Sequence, residues 1–205
     1  FCLCFIYELL RLGLALDDYW AGVGILIVGV CITIYAMATA QRLFCKRLEF
    51  RDPRLTRKYR LVQISDVHIG SRSVGFLRSV VETINIQNPN LVVITGDFLD
   101  AKRVQAEDIA PLKNLKAPVY FSIGNHERYA GLDWVIPMLE DAGVVVLRSQ
   151  AVKVGELQLI GIDDAEDEDQ VRRELSTIEL DPECFKVLLY HRPLGWESAV
   201  ASGIN

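Results

Sequence analysis

Leu61–Gly70 reads LVQISDVHIG: an apolar run closes on Asp66, and His68 follows two places later. Similar endings recur. LVVIT runs into Gly96-Asp97, VYFSI into Gly124-Asn125-His126-Glu127, and FKVLLY into His191. The chain has three histidines, and all of them stand at such endings. Carboxylates, imidazoles and an amide make a mixed oxygen and nitrogen donor set, suited to Mn, Fe, Zn or Ni rather than to calcium alone. If Asp66 and Asp97 end neighbouring strands, two carboxylates meet with no lysine or arginine in either motif. Uncompensated, such charges cost several kcal/mol per ion, and a divalent cation removes the conflict. In an extended segment positions 66 and 68 face one side and reach one ion. Gly96 and Gly124 permit tight turns that bring the backbone close to an anionic ligand. Two ions about 3.5–4 Å apart would clamp a phosphate and activate a water for in-line attack.

Each residue alone has a plainer reading. Asp97 suits a turn or a helix cap, His191 before Arg192-Pro193 suits a satisfied loop, and Asn125 suits a positive φ. Their shared place after apolar runs favours the metal. Other motifs fall away. His126-Glu127-Arg128-Tyr129-Ala130 lacks the second histidine of a zincin. Gly22-Val23-Gly24 lacks the third glycine of a dinucleotide fingerprint. Ser65 and Ser122 have no nucleophile-elbow context.

These endings need strands to hold them. The apolar runs predict strands over Arg60–Ser65, Leu91–Thr95, Val119–Ile123, Val144–Leu147, Leu157–Ile162 and Phe185–Tyr190. Amphipathic stretches predict helices over Val74–Ile86, Ala106–Leu115, Leu132–Ala142 and Asp167–Thr177. Asn88-Pro89-Asn90 is a stop between a helix and the next strand. The alternation gives an α/β layered fold with a largely central sheet, and ligands of such sheets bind beyond the carboxyl ends of the strands. DDAEDED, Asp163 to Asp169, reads as a solvated loop leading into a helix.

The ordered set D-x-H, GD, GNHE and a lone His after a strand resembles the calcineurin-like metallophosphoesterases. It is closest to the membrane-anchored bacterial subgroup of YkuE- and YaeI-like enzymes. The resemblance runs from about Leu61 to the end of the chain. It implies a metallophosphoesterase-like layered α/β sandwich and a metal-dependent phosphoric ester hydrolase with two divalent ions. It implies that Asp66 and His68 hold the first ion, that Asp97 bridges, and that Asn125 and His191 hold the second. His126 would face the phosphate and protonate the leaving oxygen or stabilise charge in the transition state, Glu127 would orient His126 or cap its loop, and Asp100 is a candidate supporting residue. The substrate implied is a phosphodiester or a pyrophosphate, with a lipid-linked one favoured by the membrane tether. Some members cleave UDP-2,3-diacylglucosamine. The family pattern closes on Gly-His-x-His, one more ligand for each ion, whereas this chain reaches Asn205 through AVASGIN. It is therefore expected to be a sandwich lacking its C-terminal part, with weakened metal binding. The rival reading is a non-catalytic scaffold of the same fold that binds proteins.

The N-terminal part has a different character. Of 205 residues 51% are hydrophobic, and the excess lies at this end. Tyr19–Ala40 carries no charge, would measure about 33 Å as a helix and predicts a membrane span. Phe1–Leu16 reads as the tail of an earlier span, with Glu8 and Arg11 placed to pair and with residues expected upstream. Residues 1–40 thus form a transmembrane region. Residues 41–59 form a basic juxtamembrane linker leading to the first strand, and 60–205 the phosphoesterase-like domain. Arg42, Lys46, Arg47, Arg51, Arg54, Arg57, Lys58 and Arg60 follow the span. The positive-inside rule puts the domain on the cytoplasmic side of a cell inner membrane, and the same charges could touch lipid headgroups. With a net charge of −5, nucleic acid is not the expected partner. The five cysteines show no metal spacing and no disulfide framework, in keeping with a reducing compartment. Cys45 is a juxtamembrane palmitoylation candidate.

Overall fold

The protein was analysed as a computed structural model, which describes residues 2–13, 17–100, 104–167 and 169–205. The chain divides into two compact units, Phe1–Arg47 and Leu48–Asn205. In the first, α1 (Cys2–Gly13) and α2 (Asp18–Ala40) follow one another. Asp17 caps α2, its side chain accepting from the Tyr19 amide at 2.9 Å, so the helix begins one residue before the predicted span. Glu8 and Arg11 pair at 3.0 Å. α2 is the one helix, among the described residues, long and apolar enough to cross a membrane. Its 23 residues measure about 35 Å, and it leaves Leu26, Ile27, Ile32, Ile34 and Met37 exposed. α1 has 12 residues, too few to span alone. Of the predicted earlier span, positions 1 and 14–16 lie outside the described residues.

The second unit is a four-layer sandwich, helices on sheet on sheet on helices. β1 (Leu61–Ile64), β2 (Leu91–Thr95), β3 (Val119–Ser122) and β4 (Val144–Val146) form one parallel sheet in that order. β5 (Gln150–Val154), β6 (Leu157–Gly161) and β7 (Phe185–Leu189) form a second, with β5 antiparallel and β7 parallel to β6. Strand alternation assigns each face. Val92, Ile94, Val119 and Phe121 pack with Leu77, Val80, Val81 and Ile84 of α3 (Val74–Ile86) and with Val135 and Leu139 of α6 (Leu132–Asp141). Their neighbours Leu91, Val93 and Tyr120 turn the other way, onto Leu157, Leu159 and Leu189 of the second sheet. Beyond that sheet, Ile160 meets Val171 and Leu175 of α7 (Gln170–Leu175) and Ala199 of α8 (Trp196–Ala201). α3 is where the sequence expects it because Ser73 caps its first turn, accepting from Phe76 N at 3.2 Å, and because its buried residues recur every three or four places.

The strands form two sheets packed face to face, the layered α/β sandwich that the resemblance implies, where the alternation alone pointed to a largely central sheet. β5 was not anticipated: QAVKV is half exposed and weakly apolar, and its hairpin with β6 defines it. The predicted helix Ala106–Leu115 breaks into α4 (Ala106–Ile109) and a 3₁₀ turn, Ala110–Asn114, because Pro111 offers no amide to continue the ladder. The helix predicted over Asp167–Thr177 is shorter, and residue 168 lies outside the described set. α5 (Asn125–Ala130) and α8 were not predicted as helices.

Candidate metal centre

The loops after β1, β2, β3 and β7 converge at one end of the two sheets. Backbone bonds hold the first two together: Asp66 N donates to Gly96 O at 3.2 Å, His68 N to Asp97 O at 3.1 Å and Ile69 N to Phe98 O at 2.8 Å. The cost is visible in the dihedrals. Asp66, His68 and Asp97 have φ of 55°, 54° and 51°, the left-handed region that a side chain disfavours by about 1–3 kcal/mol each. Positions 66 and 68 therefore do not face one side because the chain is extended. β1 has already ended at Ile64, and two left-handed residues bring the two side chains toward one another. His68 Nε2 then stands 3.8 Å from Asp66 Oδ1.

Two glycines let the β2 and β3 loops touch. Gly96 has φ +78°, and a Cβ there would lie 2.7 Å from Gly124 Cα and 2.8 Å from His191 Nδ1. A Cβ on Gly124 would fall 2.5 Å from Asp97 N. Their glycine identity thus serves an approach of loop to loop and histidine, a closer constraint than the ligand approach expected of them. Glu127 then clasps both loops. Its fully buried carboxylate accepts from the amides of Asp97, Phe98, Leu99 and Gly124, all at 2.8–2.9 Å. Burial pushes its pKa up, and the amide bonds pull it back down.

Asp97 lies at the centre, 4% exposed. Its Oδ1 accepts from His126 N at 3.0 Å. Its Oδ2 is 3.2 Å from His191 Nε2 and 3.8 Å from His126 Nε2. His191 Nδ1 sits 2.9 Å from Thr95 O. A carbonyl only accepts, so Nδ1 carries the hydrogen and Nε2 keeps its lone pair for a ligand. His68 Nδ1 faces Asp100 Oδ2 at 3.6 Å, and the other Asp100 oxygen accepts from Ser71 N at 3.1 Å. The rings of His68 and His126 meet edge to face at 4.7 Å. Asn125 opens α5, half-buried.

Two groups of donors result, each with its ligand atoms within 4.8 Å of one another: Asp66, Asp97 and His191, and His68, Asp97 and His126. Asp97 belongs to both. The resemblance pairs Asp66 with His68; these two stand 3.8 Å apart, one in each group, with Asp97 common to both. The donor chemistry fits divalent ions. Each group mixes carboxylate and imidazole, and among the described residues Asp66 and Asp97 are ion-paired only with histidines, so no lysine or arginine neutralises them.

Sequence reasoning missed a further pair. Asp163 and Asp164, read as part of a solvated charge run, are 6% and 2% exposed. They follow β6 directly, as the other site residues follow their strands, and that placement was the available signal. Asp164 N donates to Ile123 O at 3.1 Å, and its carboxylate pairs with Arg192, the residue after His191. Asp163 pairs with Arg148 at 2.8 Å.

The calcineurin-like phosphoesterase family profile matches residues 59–197. An uncharacterized metallophosphoesterase of Campylobacter jejuni is 27% identical over 72% of this chain and 42% of its own length. A transmembrane protein with metallophosphoesterase domain from Danio rerio is 35% identical over 52% of this chain and 27% of its own. The UDP-2,3-diacylglucosamine pyrophosphatase LpxG of Chlamydia muridarum is 34% identical over 37% of this chain and 26% of its own. The chain thus spans less than half the length of each of these relatives. With the profile covering most of it and the donors gathered at the strand ends, the chain belongs to the calcineurin-like phosphoesterase family.

Proposed function

We propose that the protein is a metal-dependent phosphoric ester hydrolase with a dinuclear centre, acting on a phosphodiester or a pyrophosphate associated with a membrane. The observation that carries this reading is Asp97, one buried carboxylate common to two groups of metal donors. Asp66 and His68 would hold one ion, Asn125 and His191 the other, with Asp97 between them. Ions held there would polarise phosphoryl oxygens and lower the pKa of a bound water. The protein's own part is to fix the donors and to move a proton. Glu127 holds the Asp97 and Gly124 loops at one spacing, Asp100 orients His68, and Thr95 O fixes the ring of His191. His126 gives the proton on Nε2 to the leaving oxygen, a transfer worth about 10²–10⁴ in rate.

The substrate class follows from the tether and from the lipid-precursor pyrophosphatase among the relatives: a lipid-linked pyrophosphate or diester. The anchored layout is that of the YkuE- and YaeI-like subgroup. The basic residues after α2 favour a cytoplasmic domain on an inner membrane; an alkaline phosphatase fused to the C-terminus and found active would refute that side.

The test of the function is hydrolysis of bis-p-nitrophenyl phosphate by the whole protein in detergent with Mn²⁺, beside Asp97→Asn. Metal-dependent turnover lost in the variant is the expected result. A folded, metal-loaded protein without turnover on this substrate or on lipid pyrophosphates would instead favour the protein-binding scaffold.

A further inference from the structure

The basic linker is two different things. From Asp52 onward its residues are fastened to the second unit. Arg54 bonds Asp52 at 2.6 and 2.7 Å and Cys184 O at 3.1 Å. Thr56 N donates to Glu156 at 3.0 Å, and Tyr59 accepts from Glu156 N at 2.9 Å. The Arg57 guanidinium lies over the Tyr59 ring at 4.6 Å, and Leu55 and Tyr59 join the layer between the sheets. These arginines serve the fold.

Between Ala40 and Asp52 the chain has no helix or strand. Its apolar side chains stand in the open, Phe44 at 80%, Leu48 at 68% and Phe50 at 72% exposed. Elsewhere in the second unit large exposed apolar residues are scattered, Ile86 and Val145 singly and Trp196 and Val200 as one pair on α8, which is ordinary. Here they are concentrated in one short run and interleaved with Arg42, Lys46, Arg47 and Arg51. Where the chain runs extended, Phe44, Leu48 and Phe50 share a side with Arg42 and Lys46, while Leu43, Arg47, Glu49 and Arg51 take the other, where Arg51 pairs with Glu49 at 3.2 Å. Exposed aromatic and leucine side chains alternating with long cationic ones, whose stems follow the apolar groups while their charges reach outward, are the composition of a segment lying in a membrane interface. The place agrees: the run starts three residues after α2 ends at Ala40, and an extended chain advances only about 3.3–3.6 Å per residue.

We propose that Leu43–Phe50 lies in the headgroup–acyl boundary of an anionic membrane, with Phe44, Leu48 and Phe50 among the upper acyl carbons and the basic side chains on lipid phosphates. The run is then a second, shallow anchor that ends where the clasp to the catalytic unit begins. This rests on α2 being the membrane segment, and the test separates the two statements.

The experiment uses the whole chain in proteoliposomes. Phe44→Trp, Phe50→Trp and, as a reference on the second unit, Ile86→Trp are each compared with the parent for the added tryptophan emission. The lipids are phosphatidylglycerol mixtures, with and without bromine high on the acyl chains. The expected result is a blue-shifted emission at positions 44 and 50 that falls to about half or less with brominated lipid, and no change at 86. Position 50 is decisive, since 44 lies so near the helix end. Emission from Phe50→Trp that stays unquenched in vesicles the protein has entered would overturn the proposal while leaving α2 as the anchor. Protein that washes off the vesicles with carbonate would overturn both. Replacing phosphatidylglycerol by phosphatidylcholine should weaken the quenching at 50 severalfold, and equal quenching in both would overturn the role given to the basic residues.

Discussion

At Glu127, burial outweighs hydrogen bonding and leaves the pKa raised, while four amides fix the carboxylate in place. Among the described residues they have no other partner, so a side chain that cannot accept all four leaves buried donors unpaired at about 1–3 kcal/mol each. Glu127→Gln, which turns an NH₂ toward those amides, should lower the melting temperature by about 5–10 °C. A melting temperature within a degree or so of the parent would mean that the clasp is not structural. His126 separates two roles that share one geometry. As the proton donor, His126→Ala leaves the metal content intact and lowers kcat about 10²–10⁴-fold; as a ligand, it would lose metal in parallel with activity. Metal analysis of the same samples that are assayed distinguishes them. The donors themselves were legible in the sequence, because each follows an apolar run and their residue types are chemically specific. The left-handed turns at Asp66, His68 and Asp97 were not, since nothing local marks an aspartate or a histidine that tertiary bonds hold at φ near +50°.

At the scale of elements, the centre is a junction of loops from both sheets. β1, β2 and β3 supply all the donors but one, and β7 in the other sheet supplies His191. The Asp164–Arg192 pair fastens the β7 loop to the end of β6, while Asp164 N ties that end to β3. Asp164→Ala leaves the part-buried Arg192 guanidinium with only the exposed Glu166 at 3.5 Å, which should cost about 2 kcal/mol and weaken metal binding about tenfold. Calorimetric titration of Mn²⁺ into the variant checks this, and unchanged affinity would remove the pair from the site's support. Gly96→Ala should be as damaging. Its positive φ and the approach of Gly124 leave no room for a methyl, so stability should fall by about 2 kcal/mol or more in thermal unfolding. β2 and β3 of the first sheet were legible because they are continuous, largely apolar and buried on both faces. β5 was not, because QAVKV has neither a clean alternation nor an apolar run. α4 was read too long because its periodicity runs through Pro111, where the missing amide overrides the pattern.

For the whole molecule, two units of unlike surface share one chain. The first presents α2, with nearly all its apolar side chains uncovered. The second buries its apolar residues in three clusters between four layers. Full-length protein should stay with membranes through a carbonate wash, and release into the supernatant would contradict membrane association. In the sequence, the uncharged run and part of the basic linker fall in the first unit. Which strand joins which sheet was not legible from the runs themselves, because both sheets are built from equally short apolar runs and only their pairing separates them. The most direct measurement of the central claim is the number and coupling of metal ions. Mn²⁺ would be titrated to saturation into the purified protein, counted by mass spectrometry and followed by electron paramagnetic resonance. A dinuclear centre predicts two ions per chain with a spin-coupled signal that Asp97→Asn reduces to that of isolated ions. A single uncoupled ion in the parent, or coupling that persists without the Asp97 carboxylate, would contradict a centre bridged by this residue.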